Sequence, residues 1–327
     1  MCAKSISKQA ELLAGRLSSA RSLLLITHTR PDGDGLGSAG ALARAGATEG
    51  IDSAIYVPVE LPARHEHLVE GLKLIAGKDL ESSAAKADAI VIVDTSAHSQ
   101  LPQLEEFLSA HRDKVLVIDH HATGDDIGCV AWRDHTAAAA GVMVYELLAY
   151  MGWSIDEISA QMLATAILCD TGWLRFSNTD ARSLFAMANL VSLGARPDEL
   201  HSKLDQSDSH ERLQLLHRVL GSLQLHNDAS IATMILTQDD FSQVGAEMSE
   251  SENFVNEPLR ISTVQVSIML VEHPDSVRVS LRSKGDVDVA AIAGHFGGGG
   301  HAKAAGLTGD LPLEELKNRI IALISEQ

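Results

Sequence analysis

The residues of this 327-residue chain that could do chemistry fall at the ends of apolar runs. Residues 23–38 read LLLITHTRPDGDGLGS: an apolar run stops at Thr27, His28 follows, Asp32 stands four residues later and Asp34 two after that. Pro31, Gly33, Gly35 and Gly37 interleave with them before an alanine-rich segment begins. The pattern predicts a buried strand, a tight loop carrying ligands and then a helix. One imidazole and two carboxylates on such a loop suit a divalent cation such as Mn2+ or Mg2+, although Pro, Gly and Asp are also the ordinary residues of a solvated turn. Further on, DAIVIVD ends in Asp94, and KVLVIDHH ends in Asp119, His120 and His121. Asp94 alone reads equally well as a helix N-cap. Three apolar strands that each finish in an acid or an imidazole are not explained by turn chemistry. A fourth apolar stretch, ILCDTG, runs into Asp170.

If the fold collects His28, Asp32, Asp34, Asp94, His120 and Asp170, four carboxylates share one site. At low dielectric they repel strongly unless cations neutralise them. Two divalent ions about 3.5–4 Å apart, bridged by one carboxylate, can generate hydroxide and stabilise the attacking and leaving oxygens at phosphorus. His121 is then a spare imidazole, placed to contact a phosphoryl group or protonate a leaving oxygen. Asp119 is expected to orient a ligand histidine.

Bringing these groups to one edge requires a parallel sheet with helices between its strands. Residues 5–20 place Ile6, Leu12, Leu13 and Leu17 on one helical side, a strand follows at 23–27, and 36–47 form an Ala- and Gly-rich helix able to lie close to the sheet. Strands are predicted at 53–57, 89–93 and 114–118. Helices are predicted near 101–111, at 136–151 behind Thr136, at 156–168, and at 180–193 between Asp180 and Gly194. His65 and His67, two apart, do not share a helix face and read as surface residues. The polar stretch 195–209, with Pro197, reads as a linker, and a helix near 210–222 leads into a part of different character. Short strands at 231–236, 264–271 and 276–281 predict a smaller α+β or α/β unit. Near its end, HFGGGGHAKAAG (295–306) sets four glycines before His301 and Lys303. Consecutive glycines let backbone N–H groups approach an anion, and the alanine-rich continuation looks helix-like. The fold class is α/β, with a metal-binding domain at 1–194, a linker and connecting helix at 195–222, and a substrate-binding domain at 223–327.

Bulk properties narrow the function classes. Hydrophobic residues make up 45% and charged residues 21%, a globular balance, while aromatics are only 4%, so Ala, Leu, Ile and Val must build the cores. The formal net charge of -18 disfavours long nucleic acid, whose affinity comes mainly from Lys and Arg contacts to phosphate. A short polyanion remains compatible if cations or a local basic pocket offset the field. Cys2, Cys129 and Cys169 form neither a disulfide framework nor a C-x-x-C zinc site. The N-terminal segment is amphipathic rather than signal-like, and no run of 18 apolar residues occurs. A cytoplasmic protein with no membrane partner is expected.

Taken together, these motifs resemble the DHH phosphoesterase superfamily, named for the triplet matched here by Asp119-His120-His121. His28-x3-Asp32-x-Asp34 resembles its first motif, Asp94 the second, the triplet the third and Asp170 the fourth. GGGGH at 297–301 resembles the glycine-rich motif of the associated DHHA1 domain. Length, domain order and VNEPLRIS (255–262) are most similar to the short-oligonucleotide branch. The resemblance implies one Mn2+ on His28, Asp32 and Asp94 and a second on Asp34, Asp94, His120 and Asp170, with Asp94 as the bridge and Mg2+ or Co2+ as alternatives. It implies substrate-phosphate contacts from Arg282, Gly298, Gly299, Gly300 and His301, with Arg260 a weaker candidate and Arg175 and Lys303 unassigned. The implied activity is hydrolysis of short RNA or DNA oligonucleotides to mononucleotides, including nanoRNA and linear dinucleotides such as pApA. Hydrolysis of 3′-phosphoadenosine 5′-phosphate to AMP is implied with it, and a homodimer is left open. Cyclic-dinucleotide phosphodiesterase, inorganic pyrophosphatase and exopolyphosphatase are the neighbouring enzyme readings. A nucleotide sensor without turnover would be favoured by a missing metal ligand, and none is missing.

Overall fold

The computed structural model describes residues 6–58, 61, 63–206 and 208–325, with the backbone alone at 63, 64 and 301, so Cys2 lies outside the described residues. The chain forms two compact units, Met1–Ser207 and Asp208–Gln327. The first begins with α1 (Lys8–Ser19), β1 (Ser22–Ile26), α2 (Gly33–Thr48), β2 (Asp52–Tyr56), α3 (Ala63–Glu66), β3 (Lys73–Ile75) and α4 (Leu80–Lys86). It continues through β4 (Ala89–Val93), α5 (Glu105–Ala110), β5 (Val115–Asp119) and β6 (Val130–Arg133) to α6 (Ala140–Met151), α7 (Glu157–Asp170), α8 (Ala181–Ser192) and α9 (Pro197–Asp205). The strands form a six-stranded sheet ordered β3-β2-β1-β4-β5-β6, parallel throughout.

Its strands are continuous apolar runs because both faces are covered. Leu23, Leu25, Val91, Val93, Leu116 and Ile118 join a core with α1, α2, α6 and α7. Leu24, Ile26, Ile90, Ile92, Val115 and Val117 join α4 and α5 on the other side. Helices α2 and α7 meet along small residues: a Cβ at Gly33 would lie 2.3 Å from Cys169 Sγ, at Gly37 2.4 Å from Met162 O, and at Gly40 3.0 Å from Met162 Sδ. The spacing of these glycines, four and then three, keeps them on one helix face.

Several local readings change in the folded chain. α2 starts at Gly33 because Asp32 Oδ1 accepts the N–H groups of Asp34 and Gly35, both at 3.0 Å, so Asp34 sits in a helical turn and not on a loop. α6 starts at Ala140 and not at Thr136, since Asp134 Oδ1 accepts the Thr136 N–H at 3.0 Å and its hydroxyl at 2.6 Å, and Ala139 is extended. Asp170 is the last residue of α7, where it had been expected just beyond the helix. The polar stretch after Gly194 is no simple linker: Pro197 opens α9, and Ala195 and Leu200 are buried in the first unit's core. His65 is buried, not on the surface.

The second unit contains α10 (His210–Gly221), β7 (Gln224–His226), β8 (Ile231–Leu236), α11 (Gln238–Val244), β9 (Val266–Glu272), β10 (Val277–Ser283), α12 (Val289–Gly294), β11 (Gly299–His301), β12 (Ala304–Gly309) and α13 (Leu313–Ser325). Its mixed sheet is ordered β11-β12-β10-β9-β8-β7, with β8 and β9 parallel. α12 and α13 cover one face, while α10, α11 and Phe254 cover β8 and β9 on the other. The segment after the glycine run is not helical: Gly299–His301 and Ala304–Gly306 pair as an antiparallel hairpin, because ladder bonds there override alanine's helix preference. No helix among the described residues is long and apolar enough to cross a membrane.

Candidate metal centre

Strands β1, β4 and β5 are parallel neighbours, so their carboxyl ends open on one edge, and strand order reverses between β1 and β4, where doubly wound sheets bind ligands. His28 lies two residues past β1, Asp94 immediately past β4, and Asp119 ends β5 ahead of His120 and His121. Asp94 is the meeting point. Its Oδ2 is 3.4 Å from His28 Nε2 and its Oδ1 is 3.3 Å from His120 Nε2. His28 Nε2 lies 3.5 Å from Asp32 Oδ2, and His120 Nε2 lies 3.7 Å from Asp34 Oδ2 and 3.3 Å from Asp170 Oδ2. Two groups result, His28–Asp32–Asp94 and Asp34–His120–Asp170, each compact enough to hold an ion; Asp94, His120 and His121 form an overlapping third.

Asp94 reaches this position with φ of 65°, a left-handed conformation that costs most side chains energy but that aspartate tolerates. Gly35 clears the space beneath it, since a Cβ there would lie 2.1 Å from Thr27 Oγ1 and 3.4 Å from Asp94 Oδ2. Asp34 is fully buried and accepts the N–H groups of Ala140 at 2.6 Å and Gly141 at 2.8 Å, and the Ser38 hydroxyl at 3.2 Å. It therefore caps α6, where a negative charge is favoured. His120 Nδ1 faces Ala137 O at 3.3 Å, which assigns the proton to Nδ1 and turns Nε2 toward the carboxylates. Asp119 bonds the spare imidazole: its Oδ1 accepts His121 Nδ1–H at 2.8 Å and the His121 backbone N–H at 3.0 Å, while Ser96 Oγ donates to Oδ2.

Burial opposes charge on every one of these groups, and their mutual interactions decide the outcome. For His28, burial is outweighed by the hydrogen bonds and charges of Asp32 and Asp94, raising its pKa to about 11. Burial likewise opposes charge on His120, yet Asp94, with Asp34 and Asp170, raises it to about 10. Burial would raise Asp94, but His120 and His28 hold it well below the usual carboxylate range. Asp170 is pushed up to about 7, by burial first and then by Asp94 and Asp32 against the pull of His120. Asp34 is raised by burial and then by the Asp94 and Asp170 charges. Protons retained on imidazoles and carboxylates alike mark a negative cluster that cations would stabilise. The donor set fits: Asp94 Oδ1 is buried and accepts no hydrogen bond, and mixed imidazole and carboxylate ligands suit hard or borderline divalent ions.

Residues 22–169 match the DHH family, N-terminal domain, and residues 228–327 match the DHHA1 domain. The bifunctional oligoribonuclease and PAP phosphatase NrnA of Thermus thermophilus is 31% identical over 315 residues, spanning 93% of this chain and 90% of that protein. The chain belongs to the DHH phosphoesterase family. The protein of the same name from Bacillus subtilis is 27% identical over 294 residues, 87% of this chain and 88% of its own length. Among solved structures, an exopolyphosphatase-related protein from Bacteroides fragilis superposes with a TM-score of 0.92 at 25% identity, covering 99% of this chain and 97% of that one.

In the DHHA1 unit of this DHH protein, Arg282 on β10 is half-buried, with Nη1 donating to Leu281 O at 3.0 Å. Burial is the main cause that lowers its pKa from the usual guanidinium value. Arg282 pairs with Ala304, which pairs with His301, so the three occupy one row across β10, β12 and β11; the His301 side chain lies outside the described residues. The N–H groups of Gly297 and Gly298 donate to Gly294 O and Ala293 O at 3.1 and 2.9 Å, closing α12, so Gly298 spends its donor on the helix. Gly299 and Gly300 lie on the edge strand, where outward backbone groups have no neighbouring strand. Arg260 is exposed and ion-paired with Glu257 at 3.1 Å. Sequence reasoning missed Ser96, the Ala137 carbonyl and the α6 amides. Ser96 stood in view two residues after Asp94, but backbone groups leave no mark in a sequence.

Proposed function

We infer that this protein hydrolyses short oligonucleotides, nanoRNA and linear dinucleotides such as pApA among them, to mononucleotides, and 3′-phosphoadenosine 5′-phosphate to AMP. The observation that carries the reading is Asp94, one buried carboxylate whose two oxygens face two separate histidine–aspartate groups. The oligoribonuclease and PAP phosphatase names of the relatives support the substrate class. Mn2+ is the proposed ion, held at one position by His28, Asp32 and Asp94 and at the other by Asp34, Asp94, His120 and Asp170. Two divalent cations there would lower the pKa of an attacking water and neutralise phosphoryl charge. Asp94 sets the separation of the two positions. The α6 amides hold Asp34 in place, and the Ala137 carbonyl fixes the imidazole plane of His120. His121, oriented by Asp119, is assigned to proton transfer to the leaving oxygen through Nε2. Arg282, His301 and the backbone of Gly299 and Gly300 are assigned to the substrate phosphate, while Gly298, whose N–H closes α12, is not; Arg260 is assigned no more than its surface ion pair.

The test is product analysis with purified protein and Mn2+ on 5′-phosphorylated diadenosine dinucleotide, 3′-phosphoadenosine 5′-phosphate and pyrophosphate in parallel. AMP from the first two with pyrophosphate intact is the expected result. Cleavage of pyrophosphate alone overturns the substrate assignment. No product from any of them, with metal bound, moves the reading to a nucleotide sensor.

A further inference from the structure

The turn that follows Asp170 is built at a conformational cost that metal binding does not explain. Gly172, Trp173 and Leu174 take φ values of 54°, 60° and 62° in succession, a left-handed run that chirality disfavours for the two non-glycine residues. Thr171 organises it: its carbonyl accepts the N–H groups of Arg175 and Phe176 at 3.0 Å, and its hydroxyl accepts that of Leu174 at 3.2 Å. Asn178 ties the turn to the metal centre by donating to Asp170 O and Ala138 O, both at 3.0 Å. What this arrangement presents is an aromatic ring. The tip of Phe176 rests over Gly172, where a Cβ would meet Cζ, Cε1 and Cε2 at 2.3, 2.4 and 2.5 Å, yet Phe176 is 53% exposed. Gly172 is two residues from the carboxylate-bearing Asp170, so their Cα atoms are at most about 7.6 Å apart.

We propose that Phe176 is the surface on which a nucleobase of the substrate stacks, placing that nucleotide's phosphate at the metal centre. The proposal rests on the short-nucleotide reading above. Stacking on an aromatic ring is tolerant of base identity because every base has a π-face, which suits an enzyme acting on short chains of any sequence. It also gives a role to a phenylalanine that is half-exposed at the turn following Asp170.

The experiment compares KM for pApA with KM for its abasic analogue of the same backbone, in the Mn2+-loaded full chain. Wild-type protein is expected to prefer the base-bearing substrate about tenfold in KM. Phe176→Ala should lose that preference through KM rather than kcat, Phe176→Trp should retain it, and Gly172→Ala, whose Cβ displaces the ring, should lose it too. A Phe176→Ala variant that keeps the wild-type preference overturns the proposal. So does one that loses kcat on both substrates with the KM ratio intact, since that is a structural lesion. Wild-type protein inactive on pApA instead refutes the substrate reading itself.

Discussion

Replacing Asp34 with alanine separates its structural role from its proposed part in metal binding. The buried carboxylate accepts two backbone N–H groups, from Ala140 and Gly141, and the Ser38 hydroxyl. Alanine leaves both amides at the start of α6 without a partner, each at about 1–3 kcal/mol, whereas the Ser38 hydroxyl can turn to the carbonyl four residues back. The sum, about 2–6 kcal/mol, is reduced by relief of repulsion, because burial and the Asp94 and Asp170 charges already disfavour the ionised form. The expected loss is about 3 kcal/mol in metal-free protein, and larger in Mn2+, where the wild type alone gains the full binding contribution. Urea unfolding of the whole chain followed by tryptophan fluorescence measures it. The 3 tryptophans, Trp132, Trp153 and Trp173, all lie in the first unit, so the signal reports that unit alone. Amide exchange at Ala140 and Gly141 gives an independent readout and should accelerate relative to the rest of α6. A loss below about 1 kcal/mol with both amides still protected would refute the capping role.

Asp94→Asn is expected to abolish hydrolysis while leaving circular dichroism unchanged; retained activity would sink the bridging assignment. Asp119→Asn offers His121 an amide in place of a carboxylate acceptor and should lower kcat about 100-fold, within the range for proton-transfer groups. Metal affinity by calorimetry should persist in that variant, and its loss would reassign Asp119 to the ions. In chelator, stability should fall as pH rises. The folded pKa of His28, about 11 against the ordinary 6.5, gives a contribution complete below pH 6.5 and lost on the way to pH 11. Asp170, about 7 against 3.8, acts in the same sense between pH 3.8 and 7, because the folded state keeps a proton that the unfolded chain releases. Melting temperature in EDTA should therefore drop from pH 6.5 to 10, and saturating Mn2+ should remove that slope by displacing the protons. A flat profile in EDTA would contradict the electrostatic account.

The strand ends were readable because an apolar run that stops at His28, Asp94 or Asp119 carries both signals, burial and chemistry, in adjacent residues. Helix starts were less so. Whether α6 begins at Thr136 or Ala140 depends on Asp34, more than a hundred residues earlier in the chain, taking its first amides, and on Asp134 turning the chain first. The glycine run misled for a related reason. Alanines after His301 favour a helix locally, but pairing with β10 makes them a strand. Asp170 was singled out without its setting, since a carboxylate at a helix end and one at a strand end look alike in sequence. His65 was misplaced because its burial depends on packing that short-range periodicity does not encode.

Helix α2 leaves the candidate metal centre from Asp34 and α7 arrives there with Asp170, and the glycine seam between them fixes their alignment. The seam works as a gauge. A slip of one residue along it would carry Asp170 about 1.5 Å, while metal–ligand distances tolerate only about 0.2 Å. Gly40 lies seven residues from Gly33, roughly 10 Å along the helix, and a methyl group added there would press first on the Leu68 carbonyl and then on Met162 of the α7 that carries Asp170. Damage along the seam would therefore displace Asp170 relative to Asp34, and compensating substitutions should gather on the facing side, around Leu68, Met162 and Ala166.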